Sequence, residues 1–241
     1  MDLQFLSVSD WHAQLDPLNV SGVEIGGAAV LSAYFQNERT ANPNTMTVTA
    51  GDAFGASPPL ASFFNEEPAV KAMNLMGFDA DAFGNHNFDK GVTHLQSMID
   101  LADYAFVSSN LNNLSANLTG VEAPYYIMDV AGVRVAFIGI TNPSAPSQVF
   151  PGSFGTITVA NPIPAAMAAK DAAKAAGAKI FVALIHDGAT LCDTMTQTCS
   201  GPLIDFAKGV NGFHIVFGDH TDIQVNEVIN GAHVVENRSK G

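Results

Sequence analysis

The sequence predicts an α/β fold in which short buried strands alternate with helices. Residues 45–49 are rich in β-branched side chains, as strands are, and residues 60–76 carry apolar side chains at helical spacing. This strand and helix lead into residues 81–91 and so complete a β-α-β unit. Polar residues that can bind metal or move protons stand just past the ends of several such strands, where open α/β sheets place their active sites.

Size and charge narrow the class of protein. The chain has 241 residues, of which 47% are hydrophobic, enough for one large core, and no apolar run is long enough to span a bilayer. It carries 23 acidic residues against 10 basic ones, and Lys and Arg are not clustered. We therefore predict no nucleic-acid polymer and no membrane as partner. A small phosphorylated substrate is compatible with this charge if metal ions neutralise the phosphate.

The other elements follow along the chain. Strands are predicted at residues 3–8, 104–107, 125–130, 133–140, 179–185 and 214–217. Helices are predicted to begin at residue 28 and to cover residues 92–101, 164–176 and 202–208. Residues 22–27 and 142–155 are expected to be loops, the second long enough to be functional. Residues 223–235 alternate like antiparallel edge strands, and no repeat or linker interrupts the chain, so we expect one domain over residues 1–241.

The stretch 81–91 concentrates the chemistry. Asn85 offers an amide oxygen, His86 an imidazole and Asp89 a carboxylate, at the point where a strand gives way to a helix. A structural interpretation is also open at this point. Asp89 could cap the following helix and Asn85 could be a turn residue.

Four further strand ends carry similar side chains. Asp10 and His12 follow the first strand, Asp52 follows the second, and the later strand ends carry His186 and the pair His220 and Asp222. Residues two apart in extended backbone point to the same side, so each pair is expected to reach one ion, although Asp10 and His12 could also belong to an exposed turn.

Four of the seven histidines occupy these strand ends, whereas His94, His214 and His233 do not and are predicted to be structural or surface residues. The combined set supplies nitrogen and oxygen ligands for two divalent ions, with no thiolate. Such a set suits Mn, Zn, Fe, Co or Ni, and the sequence does not choose among them.

The two cysteines indicate the compartment. Cys192 and Cys199 lie seven residues apart in a polar loop, with no C-x-x-C pair, which disfavours a zinc knuckle or a thioredoxin-type site. We predict a local disulfide and hence an extracytoplasmic protein: periplasmic, secreted or cell-surface. The first residues lack a basic n-region and lead directly into a strand, so a signal peptide is expected not to be part of this chain.

These motifs, in their order, resemble those of a known family. The segments Asp10-x-His12, Gly51-Asp52, Gly84-Asn-His-Asn-Phe-Asp89, His186 and Gly218-x-His220 are similar to the motifs of calcineurin-like metallophosphoesterases. The longer stretches 51–60 and 73–79 resemble the branch of 5′-nucleotidases and 2′,3′-cyclic-nucleotide phosphodiesterases. The resemblance covers essentially the whole chain and implies a four-layer α/β/β/α sandwich.

The resemblance also implies a role for each site residue. One ion would be held by Asp10, His12, Asp52 and Asp222, and the other by Asp52, Asn85, His186 and His220, so that Asp52 bridges them. A hydroxide bridging the ions would attack phosphorus. His86 would assist the leaving group, and Asp89 would hold His86 in the required tautomer. The implied activity is phosphoester hydrolysis of the 5′-nucleotidase type, on a small phosphorylated substrate such as a nucleotide.

The chain departs from the family pattern at several positions. Asn87 stands where a glutamate is usual, which we expect to matter little, and Asp222 stands where relatives have His, Asn or Gln. No Arg occurs before Arg39, although one is common in the helix after Gly26-Gly27. We expect the C-terminal nucleotide-recognition domain of the family to be absent from this chain.

Two alternative functions are compatible with the sequence. One is a broader phosphomonoesterase or phosphodiesterase acting on sugar phosphates or cyclic nucleotides. The other is a non-catalytic metal-binding module. The presence of His86 disfavours it, because such a module needs no residue to protonate a leaving group.

Overall fold

The computed structural model describes residues 2–193 and 198–241. The strands among these residues are β1 (Gln4–Val8), β2 (Leu18–Val20), β3 (Val23–Ile25), β4 (Thr45–Thr49), β5 (Ala80–Asp81), β6 (Ala105–Val107), β7 (Leu111–Asn112), β8 (Val121–Glu122), β9 (Tyr126–Val130), β10 (Val133–Thr141), β11 (Thr158–Val159), β12 (Ile180–His186), β13 (Leu191–Asp193), β14 (Thr198–Ser200), β15 (Ile215–Phe217), β16 (Val225–Ile229) and β17 (Ala232–Glu236). The α-helices are α1 (Ala28–Ala41), α2 (Pro59–Ser62), α3 (Glu67–Met76), α4 (Gly91–Leu101), α5 (Pro162–Ala175) and α6 (Pro202–Gly209).

Two sheets dominate the structure. The first has the order β1-β4-β5-β6-β8, with every neighbouring pair parallel. The second has the order β16-β17-β15-β12-β10-β9, parallel in its centre and antiparallel at both edges. The remaining strands form the two-stranded ribbons β2-β3, β7-β11 and β13-β14.

Three apolar cores separate four layers. Along β10, Val135 and Phe137 point into a core that they share with the first sheet, through residues such as Met46 and Val48. The alternate residue Ile138 points to the opposite face, which α5 and α6 cover. A third core lies between the first sheet and α1, α3 and α4. This arrangement confirms the α/β/β/α sandwich.

The predicted elements are largely confirmed, with informative differences. The tail forms two strands as expected, but only β16 is an edge strand, because β17 pairs in parallel with β15 inside the second sheet. The segment 22–27, expected to be a loop, contains β3. Cys192 lies opposite Cys199 on the β13-β14 ribbon and the two form a disulfide, as predicted. Residues 194–197 between them lie outside the described part of the chain.

No helix in the described residues combines the length and the apolar character that a membrane span requires.

The sheet topology determines where the strand ends meet. β1, β4 and β5 are parallel neighbours in the first sheet, so their carboxyl ends lie at one edge. β12 and β15 are parallel neighbours in the second sheet, which packs against the first. The polar residues that follow these five strands are thereby brought to adjacent loops.

Candidate metal centre

The predicted strand-end residues converge in the structure. Among the described residues, three groups place nitrogen and oxygen ligand atoms within 4.8 Å of one another: Asp52 with His186 and His220, Asp10 with His12 and Asp52, and Asp10 with His186 and Asp219. Asp52 belongs to the first two groups, and Asp10 and His186 each belong to two groups as well, so the three groups form one connected cluster. The side chain of Asp52 is almost fully buried, so this carboxylate is available to its neighbours rather than to bulk water.

The first group is centred on Nε2 of His186. This atom lies 3.0 Å from Oδ2 of Asp52, 3.2 Å from Oδ1 of Asn85 and 3.2 Å from Nδ1 of His220. The other ring nitrogen, Nδ1, lies 3.2 Å from the carbonyl oxygen of Ala50 and so donates its proton there. In the neutral ring, Nε2 therefore carries a lone pair that faces the oxygen atoms of Asp52 and Asn85, and these atoms can only accept hydrogen bonds.

Such a convergence of lone pairs requires a positive charge at its centre. A proton on His186 is one solution. Burial lowers the pKa of His186, but the charge and hydrogen bond of Asp52 outweigh burial and raise it to about 9. A divalent cation is the other solution, and the donor set of imidazole, carboxylate and amide oxygen suits a transition metal. Burial lowers the pKa of His220, which keeps that imidazole neutral and able to bind an ion.

The second group is built by unusual backbone. Oδ1 of Asp10 lies 3.6 Å from Nε2 of His12, whose Nδ1 lies 2.8 Å from the carbonyl oxygen of Gly55. This second contact directs the Nε2 lone pair toward Asp10. The φ angles of Asp10, His12 and Asp52 are 41°, 48° and 47°, in the left-handed region. The pair meets as predicted, but the expected reason, extended backbone, is wrong.

Close backbone packing holds the loops in place. A Cβ atom added at Gly84 would collide with the Asp52 carboxylate and lie 2.7 Å from the His186 ring. Asn87 ties the same loops together, because its Oδ1 accepts hydrogen bonds from the backbone N–H groups of Gly84 at 2.8 Å and Asp52 at 3.3 Å. Asn87 is buried and thus supports the loops in the position where the family has a glutamate.

His86 and Asp89 form a pair beside the metal-binding groups. Nδ1 of His86 lies 2.9 Å from Oδ2 of Asp89, and this hydrogen bond raises the pKa of His86. The backbone N–H of His86 donates to Oδ1 of Asp52 at 2.9 Å, which fixes the pair relative to the centre. The alternative in which Asp89 caps the next helix is wrong, because α4 begins at Gly91 without a side-chain cap. A cavity of about 220 Å³ adjoins both side chains.

Asp222 does not join the other predicted ligands. It is exposed and belongs to none of the three groups formed by the described residues. The expectation assumed extended backbone from Gly218 to Asp222, but the φ angles are 84° at His220 and 58° at Asp222, so the two side chains do not share a side. The charge of Asp222 acts instead on Lys240, where it opposes the lowering of the Lys240 pKa that burial causes.

Two residues near the centre were overlooked in the sequence. Asp219, between Gly218 and His220, is fully buried, and burial together with the charge of Asp10 raises its pKa well above the usual range. Gln148 belongs to the loop 142–155 and its Nε2 lies 3.2 Å from Nε2 of His220. The sequence did contain a signal for Asp219, namely an acidic residue between the glycine and the histidine of the Gly218-x-His220 motif.

The three remaining histidines have other surroundings. Nε2 of His94 lies 2.9 Å from the carbonyl oxygen of Asn65, and Nδ1 of His214 accepts the backbone N–H of Phe181. Within the described residues, neither these two nor His233 belongs to a ligand group.

Comparison with known proteins finds several relatives of partial length. No family model matches the sequence. The chain is 28% identical, over 97% of its length, to Endonuclease YhcR of Bacillus subtilis, and 32% identical, over 61% of its length, to Cell wall protein Lmo0130 of Listeria monocytogenes. It is 26% identical, over 92% of its length, to the 5′-nucleotidase of Rattus norvegicus. The alignments cover 21%, 22% and 38% of these relatives, so the chain spans well under half of each.

Solved structures share the fold over nearly the whole chain. The 5′-nucleotidase precursor of Thermus thermophilus matches 99% of the chain and 49% of its own length, with a TM-score of 0.80 and 26% identity. The calcineurin-like phosphoesterase YfkN of Bacillus subtilis matches 99% of the chain and 81% of the solved chain, with a TM-score of 0.79 and 25% identity. Over nearly its whole length, the chain is therefore similar in sequence and in fold to calcineurin-like phosphoesterases and to the N-terminal part of 5′-nucleotidases.

Proposed function

We propose that this domain hydrolyses phosphoesters at a dinuclear metal centre. One ion would be held by Asp10, His12 and Asp52, and the other by Asp52, Asn85, His186 and His220. The observation that carries the proposal is the convergence of ligand lone pairs on both sides of Asp52, which a cation on each side would satisfy. When bound, two such ions would offset the charge of the phosphoryl oxygens and supply a nucleophile from water near neutral pH.

The protein's own contribution to bond cleavage is assigned to His86. Its Nδ1 is bonded to Asp89, which leaves Nε2 to give a proton to the departing oxygen. The raised pKa of His86 favours the protonated form that this role needs. The adjoining cavity of about 220 Å³, which Phe54 and Ser57 also line, provides space beside His86 for part of the leaving group.

The substrate class is proposed from the relatives. Proteins named 5′-nucleotidase support a small phosphorylated substrate, with a nucleotide as the first candidate. The relative named an endonuclease supports a broader phosphoesterase as the alternative, although a net charge of −13 disfavours a nucleic-acid polymer. The whole chain would act as a single catalytic domain.

The cellular location is proposed on two grounds. The Cys192–Cys199 disulfide is typical of oxidising compartments. A relative named a cell wall protein supports the same location. We infer that the domain works outside the cytoplasm.

A turnover assay tests the proposal. The metal-free protein is assayed with p-nitrophenyl phosphate, AMP and a 2′,3′-cyclic nucleotide, before and after addition of Mn²⁺. We expect hydrolysis that depends on Mn²⁺ and that falls strongly in His86→Asn. The pattern among the three substrates separates a nucleotidase from a broader phosphoesterase. A protein that binds Mn²⁺ and hydrolyses none of them would be a non-catalytic metal-binding module.

A further inference from the structure

We propose that Asp219 is the third carboxylate of the metal centre, in the role that the sequence pattern assigns to Asp222. This inference rests on the metal centre of the proposed function, but not on its phosphoesterase activity. It concerns a residue that departs from the family motif, since the resemblance assigns no ligand at this position.

The position of Asp219 is rigidly defined. Its backbone N–H donates to the carbonyl oxygen of Asp187 at 3.1 Å, and its Oδ1 accepts the backbone N–H of His220 at 3.0 Å. The side chain is fully buried. Asp219 is thus fastened to the residues that follow both β12 and β15, which carry the ligands His186 and His220.

The second carboxylate oxygen of Asp219 lacks a hydrogen-bond donor. Oδ2 of Asp219 meets no hydrogen-bond donor among residues 2–193 and 198–241, and the carboxyl group of Asp219 contacts that of Asp10, with which it shares a proton when no cation is present. An oxygen of this carboxylate lies within 4.8 Å of ligand atoms of both Asp10 and His186. Two buried carboxylates this close repel each other unless a proton or a cation lies between them, and a divalent cation would compensate both. Ligand atoms about 2.1 Å from a common ion are at most about 4.2 Å apart, so the group is close to the size of a coordination shell.

Asp222 lacks each of these features. It is exposed to solvent and stands outside the ligand groups of the described residues. A carboxylate surrounded by water attracts an ion far less than a buried one does, because water screens the charge. Asp219 therefore lowers the net positive charge of the loaded centre and raises its affinity for cations, while Asp222 contributes little.

The two aspartates form a matched pair for mutation. Asn has the shape of Asp, so Asp219→Asn and Asp222→Asn each remove one charge from the same five-residue segment. Mn²⁺ binding to the metal-free proteins is measured by isothermal titration calorimetry, without substrate. We expect Asp219→Asn to weaken Mn²⁺ binding by about 10–100-fold and Asp222→Asn to leave it within about twofold.

Thermal unfolding with and without Mn²⁺ separates a metal-binding role from a structural one. Without metal, Asp219→Asn should unfold at the same or a higher temperature than the wild type, because an amide is less costly to bury beside the Asp10 carboxylate than a second carboxyl group is. With Mn²⁺ the gain in Tm of the variant should be smaller than that of the wild type. Wild-type affinity in Asp219→Asn, or weakened binding in Asp222→Asn alone, would overturn the inference. A wild-type protein that binds Mn²⁺ but hydrolyses no phosphoester would refute the proposed function and leave this inference intact.

Discussion

Oδ2 of Asp89 lies 2.9 Å from Nδ1 of His86, and the same carboxylate accepts the backbone N–H of Ala56 at 3.2 Å. The second contact anchors Asp89 to the loop that follows Asp52. Asp89 therefore fixes both the orientation of the His86 ring and the nitrogen that is left to face a substrate.

Replacing Asp89 by Asn should lower kcat by about 10–100-fold and change its pH dependence. The Asp89 hydrogen bond raises the pKa of His86, so its loss lowers that pKa. Activity that needs protonated His86 declines as pH rises through this pKa, and the decline should move to lower pH in the variant. The kcat–pH profile measures the change. Asp100→Asn, an exposed carboxylate on α4, is the control, and an unmoved profile in Asp89→Asn would argue against the role of Asp89.

Metal content should distinguish Asp52 from His86. Asp52→Asn should lose both ions and nearly all activity, because both ligand groups share this carboxylate. His86→Asn should keep both ions and lose about 10²–10⁴-fold in kcat. Elemental analysis of the purified variants checks this, with His94→Asn as a histidine control outside the centre. If His86→Asn also loses metal, His86 is a ligand and its proposed role is wrong.

The Cys192–Cys199 bond should stabilise the protein modestly. The chain-entropy estimate for so short a loop is roughly 2.5 kcal/mol, an upper figure because strain often subtracts. The double variant Cys192→Ser, Cys199→Ser should therefore unfold at lower denaturant concentration. Thiol titration of the unfolded, unreduced protein should find no free thiol, and two titratable thiols would contradict the extracytoplasmic assignment as well.

Asp81 should make the metal-free protein less stable at alkaline pH. Its Oδ1 accepts the backbone N–H of Gly51 at 3.0 Å, while Oδ2 has no partner in the described part of the chain. Burial raises the pKa of Asp81 to about 8. The folded state therefore holds a proton that the unfolded chain releases near pH 4, and stability falls as pH rises from about 4 to about 8.

Asp81→Asn keeps the acceptor for Gly51 and removes the ionisable group. At pH 8 the metal-free variant should be more stable than the wild type by about 1–3 kcal/mol, and at pH 5 the difference should shrink. Urea unfolding at the two pH values measures it. Equal stabilisation at both values would show that ionisation of Asp81 does not contribute.

The convergence of the polar residues at the strand ends could be predicted, because parallel strands place their carboxyl ends at one edge of a sheet. The directions in which their side chains point could not be predicted. Asp10 and His12 meet through left-handed backbone, which is supported by the hydrogen bonds His12 N–H to Asp52 O, 3.0 Å, and Ala13 N–H to Ala53 O, 2.8 Å. Those bonds join loops after two different strands, so no local pattern reveals them.

The same limit explains why Asp219, and not Asp222, lies beside the other candidate ligands. Alternation assigns side-chain faces only in extended backbone. Because His220 and Asp222 both have positive φ, the face expected for Asp222 turns to solvent while Asp219 is buried beside Asp10. The layer order, by contrast, could be predicted once the motifs had indicated the family. The structure agrees with it, because alternate apolar residues of β10 pack into two different cores, one on each face of the sheet.

The central claim is that two ions share Asp52. Anomalous diffraction from crystals grown with Mn²⁺ tests it directly. The account predicts two peaks roughly 3.5–4 Å apart, one beside Asp10 and His12 and one beside His186 and His220, with the Asp52 carboxylate between them. A single peak, or two peaks of which either lies out of reach of Asp52, would contradict it.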